Sequence, residues 1–146
     1  MAHSRIIQVT RKRIDKSEWL KAADLDLCQL RGEIECIDYV SDTDDREIEL
    51  EWLRSQLERV GFTLDGENIL SGCGADFIER WRALSVEAAG ELDLYKMKRL
   101  ASGVYFSGFY IHDEEFGYPV PLWVWAKDVS GTNQTFYVGG IIDYHF

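Results

Sequence analysis

The order of two sequence textures constrains the fold of this chain more than any single motif does. Apolar residues recur at helical spacing between residues 33 and 101, whereas residues 104–111, 122–129 and 135–144 are rich in aromatic and β-branched side chains. Helices followed by strands are typical of an α+β fold, in which helices cover an antiparallel sheet. A chain of 146 residues has the size of one domain. We therefore expect a single α+β domain over residues 1–146.

Three helices are expected, at about residues 33–40, 44–60 and 76–101. The second is the best defined, because Asp42 or Asp44 can cap its start and Gly61 can end it. Residues 33–40 have apolar residues at three-residue spacing, which predicts a helix, although a strand also fits so short a segment. Gly90 is a point at which the third helix could be interrupted. Residues 4–9 predict a further strand, and Asp65-Gly66 predicts a hairpin turn.

Negative charge is concentrated in under a fifth of the chain. The sequence has 16 basic and 26 acidic residues and a net charge of −10. Residues 32–58 alone contribute ten acidic and two basic side chains. Such a field repels nucleic-acid phosphates and anionic lipids, and it attracts basic protein surfaces. We therefore expect a basic protein partner, and neither direct nucleic-acid binding nor association with a membrane.

Neither export nor a membrane span is indicated by the sequence. Its longest apolar runs have four or five residues, far below the roughly 20 that a span requires. The first ten residues contain no apolar export signal. Cys28, Cys36 and Cys73 show neither the even number of a disulfide framework nor the close pairs of a zinc site. We expect a cytoplasmic protein with reduced thiols and without a cofactor.

One face of the helix at residues 44–60 combines acidic side chains with an aromatic ring. Glu47, Glu51 and Glu58 lie opposite its apolar stripe, and Trp52 flanks that stripe. Interfaces often pair an aromatic anchor with a charged rim. These four residues are therefore the predicted partner-binding site. A solvated helix face has the same pattern, and a weaker variant is that the acids imitate DNA phosphates.

If the protein is an enzyme, Cys73 is the candidate nucleophile. It lies between Gly72 and Gly74, just before an expected helix start, where the helix N-terminus can lower the pKa of a thiol. A packed cysteine in a glycine-rich turn explains the same residues, and no spacing identifies a histidine as the base. We therefore assign no catalytic residue and keep Cys73 as a weak candidate.

A metal site would need residues from two distant segments. His112 and Asp113 are one pair, and Asp143 and His145 near the C-terminus are the other. Imidazole and carboxylate are ligands that divalent metals accept, but adjacent acids in a solvated turn explain the first segment equally. We assign no metal and keep these four residues as weak candidates.

Trp123 and Trp125 alternate along the predicted strand at residues 122–129, so their rings would share one face. Packing beneath a helix is the favoured interpretation. The alternative is an exposed platform for a sugar, a peptide or a partner protein.

Three stretches carry a resemblance to other proteins. They are Met1-Ala-His-Ser-Arg-Ile-Ile-Gln, the segment Ile37-Asp-Tyr-Val-Ser-Asp with Glu51-Trp-Leu, and the ending Tyr137-Val-Gly-Gly-Ile-Ile-Asp-Tyr-His-Phe. About a third of the chain thereby resembles small uncharacterised proteins of the genomes and mobile elements of gut-dwelling Firmicutes. The resemblance implies a bacterial cytoplasmic setting and carriage on a phage, plasmid or conjugative element, and it names no catalytic residue.

Two function classes remain at the level of sequence. The preferred one is a binding or accessory protein, of inhibitor or immunity type, that docks a basic partner through the acidic helix face. The alternative is a small enzyme that uses Cys73, or a metal held by His112, Asp113, Asp143 and His145. The two classes can be distinguished by experiment. The affinity for a docked partner should decrease as salt is added, whereas an enzyme of this kind should contain a reactive thiol or a bound metal.

Overall fold

The fold is built around the last strand of the chain. The computed structural model describes residues 3–34, 36–72, 74–102 and 109–146. Within these ranges one sheet contains β1 (His3–Thr10), β2 (Tyr39–Asp42), β3 (Thr63–Asp65), β4 (Asn68–Leu70), β5 (Tyr110–Asp113), β6 (Val120–Pro121) and β7 (Thr135–His145). The helices are α1 (Leu27–Glu33), α2 (Arg46–Glu58), α3 (Gly74–Gly90), α4 (Leu94–Ser102) and α5 (Leu122–Val129). The predicted α+β class is confirmed.

β7 organises the sheet because its 11 residues are enough to pair with three strands. The strand order is β3-β4-β7-β1-β5-β6, and β2 pairs with the far end of β7. The β1–β5 pair is parallel, whereas the other described pairs are antiparallel. The sheet is therefore mixed, which corrects the expectation of a purely antiparallel one. Parallel strands need a long crossover, and the chain that carries α1 to α4 supplies it.

Side chains alternate between two cores on the two faces of the sheet. On β1, Ile7 and Val9 join the larger core with α2 and α5, whereas Ile6 joins a smaller core with α1. The same alternation on β7 sends Ile141 to the larger core and Ile142 to the smaller one. Both faces of the central strands are therefore covered.

The helix and the hairpin with the clearest local signals form as predicted. The residue that caps α2 is Asp45 and not the predicted Asp42 or Asp44: its carboxylate accepts hydrogen bonds from the backbone N–H groups of Glu47 and Ile48. Past its end, Gly61 has a φ of 80°, the left-handed conformation that glycine adopts at no steric cost. Gly66 has a φ of 61° in the β3–β4 turn. These elements depend on local chemistry, so sequence alone could predict them.

The segment at residues 122–129 is a helix, α5, and the predicted strand is wrong. Leu122, Trp125, Ala126 and Val129 are buried at i, i+3, i+4 and i+7, which is a helical stripe. Trp123 and Trp125 are both buried, Trp123 against Phe77 and Trp125 against Phe136. The proposed exposed tryptophan platform is therefore also wrong.

Three other segments differ from expectation. The helix expected at residues 33–40 is wrong: α1 ends at Glu33, Cys36 has a positive φ of 61°, and β2 begins at Tyr39. Ile34 and Ile37 are still buried, but in the smaller core through irregular backbone. The helix expected at residues 76–101 is two helices, α3 and α4, separated after Gly90. Of the strand expected at residues 104–111, residues 104–108 lie outside the described residues, and β5 begins at Tyr110.

Two glycines allow an N-terminal loop to lie directly against β7. The Gln8 Oε1 atom accepts hydrogen bonds from the N–H groups of Leu20 (2.6 Å) and Gly140 (2.8 Å). A Cβ atom at Gly140 would lie 2.0 Å from the Leu20 carbonyl oxygen, and one at Gly139 would lie 2.2 Å from Gln8 Oε1. These contacts explain why glycine occupies both positions of a strand in which other residues are favoured.

None of the helices in the described ranges has both the length and the apolar composition needed to cross a bilayer.

Candidate functional site

The predicted acidic face is present on α2, but its aromatic anchor is not free. Glu47, Glu51 and Glu58 are exposed on one side of the helix. The Trp52 ring instead packs edge-on against Phe109, with 5.0 Å between ring centroids, and it is half-buried at the margin of the larger core. Ile48, which is 64% exposed, is the apolar side chain that α2 presents to solvent.

Several acids of residues 32–58 are engaged within the fold. Arg5 binds Glu49 through two hydrogen bonds of 2.6 and 3.1 Å, and Arg54 pairs with Glu51 one turn along α2. Asp45 caps α2, and Asp42 accepts a hydrogen bond from the N–H of Ala22. Paired acids present less net charge to a partner, so the field of this segment is weaker than its composition suggests.

The four candidate metal ligands are not brought together. His112 pairs with Gln8 on one side of β1, whereas Asp143 and His145 pair with Arg5 and His3 on the other. The backbones of His112 and Asp143 are about 14 Å apart, because they are offset by three residues along the strands and by two strand spacings across the sheet. Alternation also places His112 on the opposite face of the sheet from Asp143. Within the described residues, no group of three or more His, Cys, Asp or Glu side chains is placed to hold a metal ion.

Asp113 instead organises a buried structural contact. Its carboxylate accepts hydrogen bonds from Arg11 Nη2 (2.9 Å), Trp125 Nε1 (3.0 Å) and the N–H of Glu115 (3.1 Å). Its side chain is fully buried, and Arg11 is 25% exposed. A buried carboxylate needs such donors to offset the loss of water. Asp113 thereby ties β1, β5 and α5 together.

The other half of the proposed metal set lies in an ion network. Asp143 is 2.9 Å from Arg5 Nη1, 3.2 Å from His3 Nδ1 and 3.6 Å from His145 Nε2. The His145 ring stacks on Tyr39, with 4.1 Å between centroids. The guanidinium of Arg5 already occupies Asp143 and Glu49. A cation next to it would be repelled, so this cluster is a poor metal site.

His112 is held in its neutral form by its surroundings. Burial lowers its pKa from the ordinary value of 6.5, although a backbone hydrogen bond and the neighbouring Asp113 act in the opposite direction. It lies on the smaller-core face, away from the groove described below.

The thiols give no catalytic arrangement that can be described. Cys73, the candidate nucleophile, lies outside the described residues. Cys28 and Cys36 are exposed free thiols.

The most conspicuous surface of the described molecule is one that sequence reasoning missed. An open groove of about 750 Å³ lies between α3, α4 and α5. Its long wall is one face of α3, formed by Ile78, Trp81, Arg82, Ser85, Val86 and Ala89. These positions recur every three or four residues, as the residues of one helix face do. We call this surface the three-helix groove.

The other wall and the floor of the three-helix groove come from α4 and α5. Leu100 and Ala101 line it from α4, and Trp123, Val124, Lys127 and Asp128 line it from α5. Leu94 and Met97 are exposed on the same face of α4 as Ala101, and they extend the apolar surface beyond the groove. Of the 13 large hydrophobic side chains exposed within the described residues, eight lie on α3, α4, α5 or the turn at Leu92. Large contiguous apolar patches at protein surfaces are typical of interaction sites and ligand-binding grooves.

Two cations, Arg82 and Lys127, and one acid, Asp128, line this largely apolar groove. Arg82 projects from α3 and Lys127 from α5, and both are exposed. In the part of the chain that the structure describes, neither forms an ion pair. By contrast, Arg5, Arg46 and Lys96 are each paired with a carboxylate. The lining of the groove therefore has a net charge of +1 on a protein of net charge −10.

No protein-family model, curated protein or solved structure matches this chain.

The helical stripe of α3 was visible in the sequence, but as a core stripe. Phe77, Trp81, Leu84 and Ala88 have the spacing of a buried helical stripe, and Phe77 and Ala88 are buried, whereas Trp81 is 40% exposed. The residues beside them, Ile78 and Val86, are 51% and 67% exposed. An α3 that is apolar on more than one side was the available signal, because only one side can face the core.

Proposed function

We propose that this protein acts by binding another protein, as an accessory or inhibitor-type factor, and that the three-helix groove is its docking surface. The observation that carries the proposal is the apolar face of α3, which runs over three turns from Ile78 to Ala89. Leaving large apolar side chains in water forgoes the free energy of their burial, about 1.5–3 kcal/mol for each one fully buried. A partner that covers the face recovers part of it.

The acidic face of α2 is a second candidate surface, and it would take a basic partner. Glu47 and Glu51 flank the exposed Ile48, so an apolar contact there would be surrounded by negative charge. This arrangement keeps the charged rim of the sequence-based hypothesis and replaces its anchor, Trp52, with Ile48. The pairing of Glu51 with Arg54 weakens the negative charge of this second surface. Docking here would be strongly dependent on salt, because exposed charges would supply most of the attraction.

The enzyme alternative has less support. Its metal version needs His112 near Asp143, and the sheet separates them. A cytoplasmic setting is part of the proposal, and the exposed thiols of Cys28 and Cys36 are in keeping with a reducing compartment.

The test is a capture experiment with three versions of the full chain in lysate of the encoding organism. The first is the wild type, the second carries Ile78→Glu and Val86→Glu in the groove, and the third carries Glu47→Lys, Glu51→Lys and Glu58→Lys on α2. All substituted side chains are exposed, so each variant should fold, which circular dichroism checks.

The groove proposal expects a protein that is retained by the wild type and the α2 variant and lost by the groove variant. A protein lost only by the α2 variant would show that the docking surface is the acidic face of α2 and not the groove. Proteins that bind all three versions equally, or none that binds the wild type, would contradict both docking surfaces.

A further inference from the structure

The three-helix groove has a shape, a polarity and a charge that together specify its occupant. We infer that it receives an amphipathic helix of a partner protein, with apolar side chains on the buried face and acidic side chains at the margins of that face. This inference rests on the proposed docking function and adds the chemistry of the partner.

The dimensions of the groove fit a helix. From Ile78 to Ala89 the α3 wall spans 11 residue steps, or about 17 Å at 1.5 Å per residue. That is the length of three helical turns, which carry apolar anchors at i, i+3 or i+4, and i+7. Two small residues, Ser85 and Ala89, lie along this wall beside the bulkier Trp81 and Val86. Small side chains on the facing surface let a helix approach to the usual interaxial distance of 8–10 Å.

The charges of the groove select the partner's flanks. Arg82 lines the groove from α3 and Lys127 lines it from α5, so a helix in the groove would meet a cation on each of these two elements. Asp128 also lines the groove, so the lining carries two positive charges and one negative charge, a net charge of +1. A helix with Glu or Asp at its margins would satisfy both cations, whereas a basic helix would add to an unpaired positive charge.

The net charge of the whole protein does not override this local preference. At physiological ionic strength the screening length is about 8 Å. The acids of α2 lie on a different element, whereas Arg82 and Lys127 would be in contact with the bound helix. Contacting charges therefore set the sign of selectivity, and the acids of α2, which do not line the groove, mainly slow the approach of an acidic partner.

The experiment uses two synthetic helical peptides of 15 residues as probes. They share leucine and phenylalanine at i, i+4, i+7 and i+11, and they carry either glutamate or lysine at the flanking positions. Fluorescence anisotropy measures the dissociation constant of each labelled peptide for the full chain. We expect the glutamate peptide to bind about tenfold more tightly, because two partly exposed ion pairs together contribute on that order. An Arg82→Glu, Lys127→Glu variant should reverse the order, and the Ile78→Glu, Val86→Glu variant should bind neither peptide.

The outcomes separate the two proposals. Equal binding of both peptides, or tighter binding of the lysine peptide, would overturn the acidic partner and leave the groove as a docking surface. Binding of neither peptide to the wild type, together with a captured protein that depends on the groove, would overturn the helical occupant alone. Stoichiometric binding of dodecanoate that the groove variant abolishes would make the site a pocket for small amphiphiles and overturn both. A dimer in sedimentation that the same variant dissociates would make the occupant a second copy of this chain, which also overturns both.

Discussion

Replacing Asp113 with alanine tests whether one buried carboxylate joins α5 to the sheet. The substitution leaves the indole N–H of Trp125 without an acceptor in a fully buried position, and it removes an acceptor from Arg11. An unsatisfied buried donor costs about 1–3 kcal/mol, and breaking a buried ion pair costs up to about 3–5 kcal/mol. Arg11 is 25% exposed and keeps its contacts with Glu115 and Gln134. The free-energy cost of breaking its ion pair should therefore lie at the low end of that range. We expect a loss of about 3 kcal/mol in the free energy of unfolding.

The measurement is urea denaturation followed by tryptophan fluorescence and circular dichroism. For a chain of this length the expected loss corresponds to a fall in Tm of about 10 °C. Asp113→Asn should lose less, because its remaining oxygen still accepts one hydrogen bond. Glu114→Ala is the matched control: Glu114 is the next residue and is exposed, so its loss should change stability by less than about 0.5 kcal/mol.

A double-mutant cycle isolates the contact with the indole. Trp125→Phe removes the N–H donor and keeps an aromatic ring, so Asp113→Ala should cost less in that background, with a coupling of about 1 kcal/mol or more. The reasoning would be refuted if Asp113→Ala cost no more than Glu114→Ala, or if the two changes were simply additive.

Two further predictions follow from the packing and titration of the fold. Gly140→Ala should destabilise the protein by more than about 2 kcal/mol, because the new Cβ would lie 2.0 Å from the Leu20 carbonyl oxygen. Gly32→Ala in α1 should instead stabilise it by about 0.5–1 kcal/mol, because nothing lies within 4 Å of the new Cβ. Chemical denaturation measures both changes, and changes of the same sign would contradict this prediction. His112→Gln should reduce the loss of stability in mild acid. Burial lowers the pKa of His112, so below pH 6.5 the unfolded chain binds a proton that the folded chain does not. The free energy of unfolding should therefore decrease as the pH is lowered. If the wild type and the variant lose the same free energy of unfolding between pH 7.5 and pH 5.5, the lowered pKa of His112 is contradicted.

The elements that were predicted correctly are those whose signal is local. The α2 helix has its cap, its apolar stripe and its terminating glycine within 20 residues, and the β3–β4 hairpin has its turn at Asp65-Gly66. The strands at both ends of the chain have runs of β-branched residues that no competing pattern obscures. In such segments, local propensity and tertiary structure favour the same conformation.

The α5 segment shows how two periods can compete in one short sequence. Alternating tryptophans suggested a strand, whereas Leu122, Trp125, Ala126 and Val129 also have helical spacing. An eight-residue apolar segment does not distinguish the two. The contacts of Trp125 with Asp113 and Phe136 decide in favour of the helix, and those contacts involve residues up to 12 positions away in the chain.

Sequence by itself determined the fold class, the acidic character of the protein and the position of its best helix, because each depends on composition or on spacing within a few turns. Only the tertiary structure decided which charged and apolar residues remain available. It paired Glu49 with Arg5, half-buried Trp52 against Phe109, and placed His112 and Asp143 on opposite sides of β1. Within the described residues it also left Arg82 and Lys127 without an ion pair beside an exposed apolar face. Availability depends on long-range packing, since a side chain is exposed only where no distant segment covers it.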